Sequence, residues 1–171
     1  MKILKTLKKL VATVTAVTMI VTMMTWCTFP TIASDTADTW ICDKHLGYIE
    51  EVSAEYGICP ELIIAIVEHE SSGNAAAANG GCKGLMQINE KYHKDRMKRL
   101  GVTDLYDPYS NILVGCDYLM ELAEEYEDLP MVLMVYNGSS DAETRWENGN
   151  YTEYAKSIMK RAEELERIHG K

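Results

Sequence analysis

The sequence predicts a mainly α-helical single domain. Apolar residues recur at three- and four-residue spacing, proline and glycine sit at the starts and stops of those runs, and few segments keep a strand's period of two. Leu46, Ile49, Val52 and Tyr56 mark a first amphipathic helix over 44–56, stopped by Gly57. Pro60 suits the first turn of a second, where Leu62, Ile63, Ile64, Ala65, Ile66 and Val67 are apolar on nearly every face, as a core helix requires. Ser71, Ser72, Gly73 and Asn74 end it, and 75–83, with Gly80 and Gly81, reads as a loop. The pattern leaves the conformation of 84–89 open. A helix over 91–100 stops at Gly101, an irregular stretch follows, and Asp107-Pro108 marks the start of a long helix over 111–127. Ile112, Gly115, Cys116, Leu119 and Leu122 form its packed stripe, with Gly115 permitting a close neighbour. Pro130 opens a short helix over 131–136, broken by Asn137 and Gly138. A last amphipathic helix over 151–167 turns Tyr154, Ile158 and Leu165 inward.

Ahead of this domain, Lys2, Lys5, Lys8 and Lys9 precede an uncharged run over 10–26, the form of an export signal. Five threonines dilute that run and Pro30 follows it, which argues for removal rather than a permanent membrane span. Thr31 and Ala33 fit cleavage after Ala33, an uncleaved N-terminal anchor being the alternative. Residues 1–33 are thus read as signal, 34–43 as a lead-in and 44–171 as the domain. Cys27 lacks the small and aliphatic neighbours of a lipid-attachment site.

Cleavage would leave 138 of the 171 residues, enough for one core. Losing four of the 17 basic residues leaves 13 against 26 acidic ones, a net charge of −13. That excludes nucleic acid as a partner, and any polysaccharide must be held by short-range contacts rather than by long-range attraction. Cys42, Cys59, Cys82 and Cys116 form an even set, and two disulfides are expected in an oxidising compartment. A helix over 44–56 would hold Cys42 and Cys59 about 20 Å apart, beyond the roughly 5.5 Å of a disulfide. The pairs left are Cys42–Cys82 with Cys59–Cys116, or Cys42–Cys116 with Cys59–Cys82; free buried thiols are the other reading. No two of these cysteines have zinc-ligand spacing.

The candidate for chemistry is Glu70, at the end of an otherwise apolar helix and on one face with Ile66 and Val67. Burial favours the protonated carboxyl, the form that can give a proton to a glycosidic oxygen. Glu68 shares the face of Glu61 and points about 200° away at about 100° per residue. His69-Glu70 begins like a zinc-peptidase motif, but Gly73 stands where the second histidine would be, so no metal is expected. His45, His93 and His169 are scattered and read as exposed.

Ordered blocks carry more: Pro60-Glu61-Leu62, Glu70-Ser71 with Gly73-Asn74, Gly84-Leu85-Met86-Gln87-Ile88, Asn111-Ile112, Gly115, Tyr118-Leu119, Tyr136-Asn137-Gly138 and Tyr154. Over roughly 56–164 the chain resembles the soluble lytic transglycosylases and the related goose-type lysozymes. The resemblance implies a lysozyme-like helical fold acting on peptidoglycan glycan strands without a cofactor; with the export signal, a secreted, cell-wall-associated protein is expected, as a monomer. It implies that Glu70 is the catalytic acid and that Ser71 orients substrate beside it. Met86 would line the sugar site and Gln87 would donate to and accept from the glycan. Tyr136 would bond the carboxyl and Asn137 the substrate's acetamido group, with Tyr154 near the acid. The chain departs from the family at Ala75 to Ala78, where proline then alanine is common, at Cys82, and at Val135, where alanine is usual.

The implied reaction is non-hydrolytic cleavage of the β-1,4 bond between N-acetylmuramic acid and N-acetylglucosamine, giving a 1,6-anhydro end. A hydrolytic lysozyme is the rival and ordinarily needs a second carboxylate, for which Asp95 is one candidate. A binding module that kept the cleft without activity is the rival of another class.

Overall fold

The computed structural model describes residues 39–171. The expected signal, with Cys27, and residues 34–38 of the lead-in lie outside the described residues. Helix α1 spans Asp43–Tyr56 and ends where Gly57 turns left-handed (φ 67°) and returns its N–H to the Ser53 carbonyl. Helix α2, Pro60–Ser71, has proline in its first turn and ends at Ser72, itself left-handed at φ 52°. Residues Ile63 to Val67 are at most 1% exposed, because α2 lies between α1 and the last helix, α7 (Glu153–Ile168). The all-round apolar pattern of α2 is thus explained by neighbours on both sides.

A small antiparallel sheet follows: β1 (Ala78–Asn79), β2 (Cys82–Lys83) and β3 (Ile88–Asn89), in that order, with Lys83 opposite both Ala78 and Ile88. The expected loop over 75–83 therefore contains a hairpin. Its two-residue turn needs positive φ at both central positions, and Gly80 (57°) and Gly81 (90°) supply them. Strands of two residues are too short to show alternation.

Helix α3, Glu90–Leu100, is capped by the Asn89 side chain; α4, Pro108–Glu125, by Asp107; and α5, Leu129–Tyr136, by Asp128. The long helix starts at its proline, three residues earlier than the apolar stripe suggested. A six-residue helix, α6 (Ala142–Glu147), was not expected; only its Ala142 is buried, so it carries no periodic signal. Thr152 caps α7. Helix α1 packs on α4, and α5 packs on α4, α6 and α7. The described residues, 39–171, make one compact unit. Among the described residues no helix is long and apolar enough to cross a membrane.

Two expectations are corrected. Cys42, Cys59, Cys82 and Cys116 are free thiols rather than two disulfides. The Cys59 sulfur lies within hydrogen-bond reach of Glu61 (2.8 Å) and Glu166 (3.2 Å), with one S–H proton to donate between them, Cys116 is fully buried, and Cys42 is exposed at the head of α1. His169 is not a free surface histidine: with Lys171 it binds the buried Glu61 carboxylate, at 2.9 and 2.7 Å. Glu68, on that same side of α2, is gripped by Arg161 of α7 (2.7 and 3.1 Å) and by Thr39 (2.6 Å). These buried charges tie α2 to α7 and to the residues that follow it.

Candidate active site

Glu70 lies in the last turn of α2, facing α7. The Tyr154 hydroxyl donates to Glu70 Oε1 at 2.8 Å, and the exposed His69 ring sits edge-on to Tyr154 (4.8 Å between centroids). Burial holds the Glu70 carboxyl above its ordinary range; the Tyr154 bond and the nearby His69 oppose this without cancelling it. Tyr154 is 6% exposed, and burial with the Glu70 charge pushes its phenol far up, so it keeps its proton and acts as a donor.

Tyr136, at the end of α5, does not bond the carboxyl as expected. Its hydroxyl donates to the Met86 carbonyl (2.9 Å), while burial and then the Glu70 charge raise its phenol. Tyr136 therefore braces the segment opposite the acid, and Tyr154 is the residue that touches it. Met86 is corrected as well. Its side chain is fully buried, with its sulfur 2.4 Å from where a Cβ on Gly115 would stand, so it packs into α4 instead of facing a sugar. Gly115 is required for that approach.

Gln87 is half-buried and left-handed (φ 48°), a conformation that costs a non-glycine residue about 1–2 kcal/mol. Its amide nitrogen donates to Gly84 (2.9 Å) and Ala77 (3.2 Å) carbonyls, so both donors are spent inside the loop. Only its carbonyl oxygen, unpartnered among the described residues, is left for a ligand. The Ser71 hydroxyl donates back to the Val67 carbonyl (3.1 Å) and retains acceptor capacity. Asn137 is exposed at the end of α5, with its backbone N–H on Leu133. Asp95 is exposed on α3, and Asp117 is occupied by Arg96 and Arg99.

One organising residue was not singled out for a role. Asn111 on α4 is fully buried; its oxygen accepts the Met86 N–H (2.7 Å) and its nitrogen donates to the Lys83 and Leu105 carbonyls (both 2.8 Å). A polar amide in an apolar stripe was the available signal. Gly84 completes the arrangement, since a Cβ there would meet the Asn111 nitrogen and the Leu105 carbonyl at 2.3 Å. Asn111 thus fixes the Gly84–Gln87 segment, Tyr136 braces it, and Glu70 with Tyr154 comes from α2 and α7.

The chain is similar to known proteins. The chain is 35% identical over 113 residues to a transglycosylase of Enterobacteria phage PRD1, covering 66% of this chain and 40% of that protein. It is 33% identical over 118 residues to the membrane-bound lytic murein transglycosylase C of Shigella sonnei, covering 60% of this chain and 33% of that protein. The chain therefore spans well under half the length of these relatives. The solved structure of an inactive mutant of lytic transglycosylase Slt from Pseudomonas aeruginosa superposes with a TM-score of 0.64 at 18% identity, over 74% of this chain and 24% of that one. The fold is the expected lysozyme-like helical one. Residues 47–159, two thirds of the sequence, match the Transglycosylase SLT domain, and the chain belongs to that family.

Proposed function

We propose that this domain is a peptidoglycan lytic transglycosylase with Glu70 as its single acid and base. The observation that carries the reading is the Glu70–Tyr154 pair: a carboxyl biased by burial toward its protonated form, with one oxygen held by a phenol. The carboxyl gives its proton to the oxygen of the β-1,4 bond between N-acetylmuramic acid and N-acetylglucosamine. As C1–O breaks, the bonding pair leaves with the protonated oxygen, and the substrate's 2-acetamido oxygen can support C1. The carboxylate, stabilised by the Tyr154 donor, then takes the C6 hydroxyl proton while that oxygen closes on C1 as a 1,6-anhydro ring. The attacking group belongs to the substrate, so no second molecule is recruited.

The family and the named relatives, both transglycosylases, support this route over hydrolysis, which ordinarily needs a second carboxylate as base for water. The substrate reading also rests on the named relatives, a transglycosylase and a murein transglycosylase. The acidic chain suits an uncharged-contact mode of glycan binding and not nucleic acid. A monomer exported by the basic-then-apolar segment over 1–33, working at the cell wall, is consistent with that substrate; only an uncleaved segment would attach it to a membrane.

The test is mass spectrometry of fragments released from purified peptidoglycan. Anhydro ends, one water lighter than reducing ends, are expected from the native protein and none from Glu70→Gln. Reducing ends in their place would establish hydrolysis, and binding without any fragments would establish the non-catalytic module.

A further inference from the structure

The aromatic row beside Glu70 continues past Tyr136. The Tyr118 ring of α4 lies 5.4 Å from Tyr136, tilted by 31°, and the His93 ring of α3 meets Tyr118 edge-on at 4.6 Å. All three rings are partly buried. Behind them sits Arg96, 8% exposed and paired with Asp117 and with Glu121 (2.8 Å). Its guanidinium lies over the Tyr118 ring (5.1 Å), and its Nε donates to His93 Nδ1 (3.3 Å).

That last bond decides the state of His93. A guanidinium can only donate, so Nδ1 must be unprotonated and the ring proton sits on Nε2. Burial and then the Arg96 charge also draw this imidazole below its ordinary range, against the opposite pull of Glu121. Among the described residues neither His93 Nε2 nor the Tyr118 hydroxyl has a hydrogen-bond partner. Neither is among the unsatisfied atoms cut off from solvent, which are His45 Nδ1 and Ser53 Oγ. Two polar groups, locked in orientation by one buried cation, therefore reach solvent on a row of rings that leads to the acid.

We propose that His93 and Tyr118 form a further glycan subsite, taking an N-acetylhexosamine beyond the sugars that straddle Glu70. His93 Nε2–H donates to that sugar's acetamido oxygen, and the Tyr118 hydroxyl bonds a neighbouring ring hydroxyl. Arg96 is a positioning residue that fixes the imidazole tautomer and the Tyr118 ring. The inference rests on the glycan-cleaving reading for its ligand class.

The experiment measures binding, so it does not depend on turnover. In a Glu70→Gln background, dissociation constants are compared for a disaccharide and an octasaccharide of alternating N-acetylglucosamine and N-acetylmuramic acid. Tyr118→Phe removes one hydroxyl and keeps the ring; His93→Phe removes the donor. Each is expected to weaken octasaccharide binding by about threefold to tenfold, the usual worth of one hydrogen bond, with the disaccharide unaffected. His93→Gln, which retains an N–H donor, is expected to recover part of the loss. Octasaccharide affinity unchanged within about twofold, or an equal loss for both lengths, overturns the subsite. A native protein that forms no anhydro ends while this length-dependent loss persists would instead refute the catalytic reading alone.

Discussion

Replacing Arg161 with methionine tests the physical link between α2 and α7. The guanidinium reaches Glu68 through Nε (2.7 Å) and a terminal nitrogen (3.1 Å), with side chains 23% and 5% exposed. Methionine fills much of the space and leaves a carboxylate out of water. Breaking a buried pair from one side costs about 3–5 kcal/mol. Thr39 still donates to Glu68 Oε1, and the arginine end is partly solvated, so about 3 kcal/mol is the expected loss. At a urea slope of about 2 kcal/mol per molar, the unfolding midpoint falls by about 1.5 M. Glu68→Met combined with Arg161→Met removes both charges and is expected to regain most of that stability. Equilibrium urea unfolding at neutral pH measures all three variants. A loss under about 1 kcal/mol for Arg161→Met, or a double variant weaker than the single one, would refute the claim that this pair fastens the helix of the acid to the helix of its phenol.

Tyr154→Phe removes the donor to Glu70 while keeping the ring against His69. That bond favours the ionised carboxyl, so its loss moves the alkaline limb of the pH–rate profile, where the proton donor is titrated away, to higher pH. The rate at the optimum falls by about tenfold, as expected for losing a bond to a charged group; a limb that stays put or moves to lower pH contradicts the assignment. Glu70→Gln tests the same burial through stability. A folded carboxyl held above its unfolded value of 4.5 binds its proton more tightly than the unfolded chain does, so its contribution to stability is intact below 4.5 and lost as pH rises through the folded value. The glutamine variant should melt higher than the native protein at neutral pH, with the gap closing below 4.5; a gap that widens on acidification would be the wrong sign. Gly84→Ala and Gly115→Ala should rank in that order of damage. The first drives a Cβ against the Leu105 backbone at a left-handed position, costing at least about 3 kcal/mol, whereas the second meets the movable end of Met86 and costs about 1–2 kcal/mol. Calorimetry that reverses the order would show the Gly84 segment to be looser than drawn.

The sequence by itself determined all the described helices but α6 and singled out Glu70 as the candidate acid. Apolar spacing, prolines in first turns and glycines at stops are local signals, and each acts within one element; Glu70 stands out because, unlike Glu68, it shares a helix face with Ile66 and Val67. The family blocks carried Tyr154 and Tyr136 as well. What only the tertiary structure decided is which groups meet. Tyr154, 84 residues away, takes the carboxyl, while Tyr136 turns to the Met86 backbone. Met86 disappears into the gap left by Gly115, Gln87 spends its donors on its own loop, and the cysteines remain thiols. His169 and Arg161 prove to be partners of buried glutamates. A residue's type and spacing set what it can offer, but a hydrogen bond or ion pair extends only a few ångströms. The choice of partner therefore waits on how α2, α4, α5 and α7 pack, a long-range outcome that no local pattern encodes.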